Sequence, residues 1–437
     1  MKRLALLAGA ETLIGLHGAD YSDPQREAQV DWQSGAGETV SEVITLALKG
    51  GGQAALLTQI EAALSQAQSG GVPLSLYLER DDQSAALSSP ILAGSLELAA
   101  DLAERGRGYQ GVRLRLKRRN AWDAPLTALP LSNANGTRLR SGLRLFNHCD
   151  QDGGHVNYAD LAAADLPGCQ PAPLLVRLLP GGSSPERLGR VLLACGMAPP
   201  ALEGELAAPA AGLSTSLLAD AGASNQAARR LSWSGATARL LLTWTLSSAD
   251  LHGLAGTIVR PVLRLRQPAP AGAYLRWRLT CAPSGALWQQ SALSALEQNH
   301  CLLPLTPFSV PGPAYLSGDP AALRLELWGA AAAGISASLD VDCLHLLPGG
   351  SFVQLEGAGG TAAGDTLVWD GCHGQVYSLN AAGEQDFSTH LLAGGRLYLL
   401  PNQANRLHLL FEGLDGAAAG LDERLVQVFS AERRRSL

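Results

Sequence analysis

Charge is what this chain is short of: Asp, Glu, Lys and Arg make up 16% of its 437 residues, against a usual share of about 25%. Lysine stands only at Lys2, Lys49 and Lys117, methionine only at Met1 and Met197, and aromatic residues reach 5%. The preference for arginine over lysine reads as a coding bias, not chemistry. A net charge of -6 without a basic stripe excludes a nucleic-acid coat, which has to neutralise phosphates. No apolar run approaches the ~20 residues that span a bilayer, so no membrane helix is expected and the chain should be soluble or part of a soluble assembly. Met1-Lys2-Arg3 ahead of Leu4 to Ala10 has the outline of a leader, but its apolar run is at the short end for one. Cys149, Cys169, Cys195, Cys281, Cys301, Cys343 and Cys372 stand singly. The lack of any CxxC pair argues against a zinc knuckle or a dense disulfide framework, and most of these residues read as buried thiols.

Apolar residues make up 46% of the chain and glycine occurs 49 times. That is enough apolar surface to offset the entropy of ordering, which excludes disorder. The length exceeds what one core fills, so two or three domains are expected.

In residues 1–130 the clearest element is a helix. From Gln53 to Gln68, Leu56, Leu57, Ile60, Ala63, Leu64 and Ala67 recur at steps of three and four, with Gln59, Glu61 and Gln66 between them. Strands are expected at Val40 to Leu48, Leu74 to Glu79 and Val112 to Lys117. The last two alternate strictly, which puts Arg113, Arg115 and Lys117 on one outward face. Residues 131–181 are rich in turn formers, including Asn133, Asp150, Gly153, Gly154, Pro171 and Pro173, and read as a linker or extended arm. Residues 182–347 are a series of short alternating runs, the pattern of a jelly-roll-like β-sandwich. Leu240, Leu242, Trp244 and Leu246, then Leu263 and Leu265, Leu275, Trp277 and Leu279, Leu323, Leu325 and Leu327, and Leu339, Val341 and Cys343 are its expected inward rows. Tyr274, Arg276, Arg278 and Trp328 have the opposite parity and should be exposed. Residues 348–437 read as a further β-rich domain, and the Arg433 to Arg435 tail as a solvated or interface end.

Catalytic signatures do not survive inspection. Gly106 to Gly111 matches GxGxxG, but a strand follows where a dinucleotide site needs a helix. The Gly357 to Gly364 stretch has Asp365 where a phosphate loop needs lysine. Asp150-Gln151-Asp152-Gly153, with Asn157 and Asp160, offers oxygen ligands but lacks the glycine and terminal glutamate of a calcium loop. It reads as a polar turn closed by Asx hydrogen bonds. The nine histidines form no ligand pair at helical spacing, there is no GxSxG elbow, and neither a catalytic residue nor a metal or cofactor site is assigned. A carboxylate pair drawn from distant strands leaves no local trace, so glycan cleavage is a lesser alternative. Tyr274 and Trp328 beside Arg276 and Arg278 suit a sugar face or a protein partner. Asn135-Gly136-Thr137 has the form of a glycosylation sequon, with nothing to suggest its use.

The order of elements resembles the distal tail and related structural proteins of tailed bacteriophages. The likeness is carried by the strand at Val40, the helix at Gln53, the strand at Leu74, and the long strand at Val112 ending in Arg118-Arg119-Asn120-Ala121-Trp122-Asp123. Asp165 to Gly168 with Pro171-Ala172-Pro173, Asp370-Gly371 to Val376-Tyr377, and Leu399 to Asn402 with Asn405 to Leu407 extend it over most of the chain. The chain is longer than the simplest members, and the segment from Ser351 onward reads as an extra domain. The resemblance implies a mainly β, multi-domain fold: an N-terminal split β-barrel with one packed helix, a carbohydrate-module-like sandwich and a C-terminal β-rich segment. It further implies a non-enzymatic virion subunit without cofactor, partnered by its own copies in a ring or other homo-oligomer and by other virion proteins. Arg113, Arg115 and Lys117 would then mark an assembly interface. A carbohydrate-binding adhesin contacting host-surface glycan, or a head-decorating protein, is the alternative.

Overall fold

The computed structural model of the chain describes residues 3–9, 11–16, 25–31, 39–49, 52–68, 73–79, 85–98, 109–134, 138–150, 153–180, 188–199, 201–282, 284–312, 323–357, 364–387, 390–393, 395–416 and 423–434. The sequon at 135–137, residues 106–108 of the first glycine motif, residues 358–363 of the second and Arg435 lie outside the described residues. The fold is mainly β, and the strands assemble into antiparallel sheets. Two compact units emerge, one holding residues 1–127, 167–170 and 431–437, the other residues 128–166 and 171–430.

In the first unit β1 (Arg3–Ala8), β2 (Glu11–Gly15), β3 (Gln25–Asp31), β4 (Thr39–Lys49), β5 (Leu74–Glu79), β6 (Leu87–Leu98) and β7 (Tyr109–Arg119) run in the order β2-β1-β5-β6-β7-β4-β3. Partway along its length β6 changes partner. Leu87 to Pro90 pair with β5, and the strand from Ile91 onward pairs with β7 across a register shift at Ile91/Ala93. Such a bulge bends a strand, and here it lets Leu4 and Leu6 of β1 share one core with Ile44 of β4 and Leu114 of β7. Helix α1 (Gln53–Gln68) packs into that core with Ile60, Ala63 and Leu64 buried, as its periodicity predicts. Gly94 of β6 permits the approach: a Cβ there would lie 2.7 Å from Leu64 Cδ2. Arg118, at the end of β7, is buried against Glu42 (2.8 Å) and its guanidinium stacks 4.6 Å from the Trp122 ring. Asp123 takes a two-pronged hydrogen bond from Arg433 (2.6 and 2.7 Å).

The second unit consists of two sandwiches, one inserted in the other. In the host sandwich, one sheet has the order Leu143–Phe146, Glu423–Ser430, Ala172–Leu179, Thr366–Asp370, Gln375–Leu379, Gln385–Asp386. The facing sheet has the order Tyr158–Leu161, Asn405–Gly413, Leu188–Cys195, Phe352–Gly357, His390–Ala393, and one apolar core fills the space between them. The inserted sandwich spans residues 202–348, with its own core between a sheet centred on Ser336–Pro348 and one centred on Leu323–Ala331. Its ends meet at the host, where the Cys195 N–H donates to the Ser351 carbonyl (2.9 Å).

This arrangement differs from the expected domain plan. Residues 131–181 are not a linker: they supply three strands of the host sandwich, and Pro171 and Pro173 sit at the start of a strand, where a missing N–H is tolerated. Residues 348–437 complete the same sandwich, apart from the terminal stretch assigned to the first unit. Leu188–Cys195 is buried almost throughout because its sheet has layers on both faces. Leu192, Ala194, Phe352 and Leu410 meet Val262, Leu302 and Leu347 of the insertion in a separate small core. A strand covered on both faces loses the alternation that marks a half-buried one.

Candidate functional site

Strand β7 lies between β6 and β4, so its outward residues stand in the middle of a three-strand face. Arg113 is flanked by Glu97 and Thr45, Arg115 by Ser95 and Val43, and Lys117 by Ala93 and Ser41. Arg115 reaches Glu97 at 2.9 Å, and both side chains are about half exposed. Leu92 and Leu98 of β6 are exposed on the same strand pair. An exposed ion pair of this kind contributes little to stability, about 0–1 kcal/mol.

Tyr274, Arg276, Arg278 and Trp328 do share one outward face of the inserted sandwich, with Arg276 opposite Trp328 and Arg278 opposite Glu326. Their parity is as expected, but they are half-buried instead of exposed. The guanidinium groups of Arg276 and Arg278 lie 5.2 and 4.8 Å from the Trp328 ring, and the indole N–H donates to Glu326 (2.8 Å). Cation–π stacking thus covers the ring that a sugar would need open. Beside Arg276 is a cavity of about 200 Å³ lined by Trp277, Ser291, Ser294, Glu297 and Thr306. Its carboxylate, Glu297, is already paired with Arg190 (2.7 Å).

Most of the perturbed titrating groups collect where the two sandwiches meet. A register shift at Arg264/Leu265 reverses the inward parity of Ser336–Pro348: Leu339 and Val341 face the insertion's core, and so do Leu344 and Leu346. Cys343, expected in that core, instead stands opposite Arg264, because a bulge re-aims the side chains that follow it. A similar shift between Leu240 and Leu242 takes Leu240 out of the expected inward row and brings Leu241 into it. Arg264 and Asp342, both fully buried, form an ion pair, and Asp342 also accepts from the Ser224 N–H (2.8 Å). Glu203 Oε1 lies 3.0 Å from Ser224 Oγ. Burial, followed by the charge of Glu205, raises the Glu203 carboxyl to about 8. Burial lowers His345 and His408 to about 3, and burial pushes Cys149 up to about 11. Glu203, Asp342 and Cys343 are buried, so these carboxylates are closed to a polymeric substrate.

Next to this junction a hairpin brings three metal-ligating side chains together. The Asp150 N–H donates to the His155 carbonyl (2.9 Å), and Gly153, at φ +75°, turns the chain. His155 Nδ1 lies 2.6 Å from Asp150 Oδ2, and His148 Nε2 lies 3.7 Å from Asp150 Oδ1. The Asp150 carboxylate therefore serves the histidines and the Asn225 N–H (3.2 Å); Gln151 and Asp152 of the expected polar turn lie outside the described residues. Sequence reasoning searched for histidine pairs at helical spacing and passed over these two. The available signal was a His-x-Asp stretch returning to His across Gly153-Gly154.

No protein-family description matches the chain, and no curated protein matches it in sequence. Among solved structures, the chain is similar to the Dit protein of phage SPP1, described as a hub of the adsorption apparatus in phages infecting Gram-positive hosts. Identity is 8%, coverage 98% of each chain and the TM-score 0.27. It is also similar to a component of the activated phage P2 baseplate with calcium, at 8% identity, 93% and 97% coverage and a TM-score of 0.22. For a chain of infectious bursal disease virus the values are 10% identity, 82% and 84% coverage and 0.17. Scores of this size do not establish a shared fold.

Proposed function

We propose that the chain is a non-enzymatic structural subunit of a bacteriophage virion, of the distal tail or baseplate type, that assembles with its own copies and with neighbouring virion proteins. The observation that carries this reading is the outward face of β6, β7 and β4, where Arg113, Arg115 and Lys117 form a row next to the exposed Leu92 at the β6 bulge. Arginine and large apolar side chains together are the composition of an interface core, whereas an ordinary solvated face is richer in lysine and glutamate. A ring needs a head-to-tail contact between two different faces of the same chain, and a broad sheet face of this kind can supply one of them. The low overall charge fits a surface largely covered by neighbours. A sugar-binding role is less well supported, since Arg276 and Arg278 already occupy the Trp328 ring.

Light scattering and negative-stain microscopy of the purified chain test the proposal. The expected result is a closed oligomer of uniform copy number that Arg115→Glu combined with Leu92→Asp reduces to monomers without changing the circular dichroism. Peptides of the chain should also be recovered from purified phage particles, and antibody labelling should place them on the tail. A wild-type chain that remains monomeric at high concentration and is missing from particles would overturn it.

A further inference from the structure

We infer that His148, Asp150 and His155 form a binding site for one divalent transition-metal ion of the zinc type, which fastens the hairpin of the host sandwich to the inserted one. One ligand atom from each residue can be chosen so that all three lie within 4.8 Å of one another. Zinc holds imidazole nitrogen and carboxylate oxygen at about 2.0–2.2 Å, so two ligands on one ion can be at most about 4.4 Å apart. Small side-chain rotations therefore bring the three atoms onto a single ion. Two imidazoles and one carboxylate select zinc, nickel or cobalt over calcium or magnesium, which prefer all-oxygen shells.

The setting supports the same conclusion. His148 is 1% exposed, Asp150 10% and His155 34%, which leaves a route for the ion past His155 and a position for water as fourth ligand. The imidazole rings are 4.8 Å apart and tilted by 50°, so neither stacks flat on the other and blocks the space between them. The backbone holds the ligands in place independently of any ion: the Asp150 N–H bonds the His155 carbonyl, and the Ser224 hydroxyl of the insertion donates to the Cys149 carbonyl. Asp150 also accepts from the Asn225 N–H (3.2 Å), so a ligand of the metal is at the same time a contact between the sandwiches.

The test is a titration of the full chain, stripped with chelator, using Zn²⁺ by calorimetry and Co²⁺ by visible absorption. One ion per chain is expected, with ligand-field bands from cobalt that zinc displaces and millimolar Ca²⁺ does not. His155→Gln and Asp150→Asn should each weaken binding by more than the roughly 10- to 100-fold that loss of a ligand's outer hydrogen-bond partner costs, with the circular dichroism unchanged. A readout that needs no variant is protection of His155 from diethyl pyrocarbonate by zinc, mapped by peptide mass spectrometry. Absence of stoichiometric binding, binding unaffected by both substitutions, or unprotected His155 at saturating zinc would each overturn the site.

Discussion

Glu203 keeps its proton at neutral pH while His345 and His408, at the same junction, refuse theirs, and this makes stability depend on pH from both sides. Unfolding returns Glu203 from about 8 to its ordinary 4.5. Between those values the folded chain holds a proton the unfolded chain has released, so stability falls as pH rises from 4.5 to 8. His345 and His408 go from about 3 in the fold to an ordinary 6.5. Below 6.5 the unfolded chain takes up their protons and the folded one does not, so stability falls as pH drops toward 3. Two histidine protons outweigh one carboxyl proton between 4.5 and 6.5, which places the maximum set by these groups near pH 6.5. Urea unfolding should therefore give the wild type a lower midpoint at pH 8 than at pH 6.5, and Glu203→Gln should abolish that difference while keeping the decline in acid. Equal midpoints for the wild type at both pH values would contradict the assignment. The buried Arg118–Glu42 pair leads to a second expectation. Arg118→Met strands a carboxylate in the core of the first unit and should cost about 3–5 kcal/mol, whereas Arg118→Met with Glu42→Leu should recover most of it. Denaturant midpoints of the two variants decide the matter, and similar losses for both would mean that Glu42 is not the source.

At the scale of elements, α1 was legible because one face of a helix repeats every three to four residues, and Ile60, Ala63 and Leu64 are buried where that period puts them. Tyr274 to Leu279 was legible because strict alternation has a single parity to assign. Reading failed where alternation is interrupted. The bulges at Leu240/Leu242 and Arg264/Leu265 each add a residue to one strand, so the stretches on either side of a bulge no longer share one alternation, and composition gives no mark of it. The His148–Asp150–His155 group was hidden for a related reason: its members meet across a turn, and turn geometry has no periodicity to detect. Packing between elements, in contrast, can be tested at one atom. The helix sits so close to β6 that a Cβ on Gly94 would lie 2.7 Å from Leu64 Cδ2 and 2.9 Å from the Arg115 carbonyl. Gly94→Val should cost roughly 1–3 kcal/mol by overpacking, lower the melting temperature, and raise hydrogen exchange first in residues 53–68. Unchanged exchange in α1 would show that the helix does not depend on this contact.

Across the whole molecule, the scarcity of charge has a structural counterpart in the stacking of the second unit, where three successive apolar layers separate four sheets. Two of those sheets have both faces covered, so they need buried residues at successive positions, and the sequence supplies them as an apolar run in Val191 to Cys195 and as Cys343, Leu344, Leu346 and Leu347 around the buried His345. The same stacking explains why a chain-order reading divided this unit wrongly: strands adjacent in space come from residues 143–195 and 352–430, with an entire sandwich between them in sequence. Fragments should therefore behave asymmetrically. Every member of the insertion's core lies between Ala207 and Leu346, so a piece spanning 197–349 closes its own core and should fold alone, although Val262, Leu302 and Leu347 lose their cover. A piece spanning 348–437 retains Thr366–Asp370 and Glu423–Ser430 without Ala172–Leu179, the strand that joins them, and Phe352–Gly357 and Asn405–Gly413 without Leu188–Cys195. Lacking the central strand of both sheets, it should be unfolded by circular dichroism and amide chemical-shift dispersion, and should acquire structure only when mixed with a piece spanning 128–196. Cooperative folding of 348–437 by itself would mean that the host sandwich is two separable halves, and the ordering of the insertion's ends by the Cys195–Ser351 bond would then need another cause.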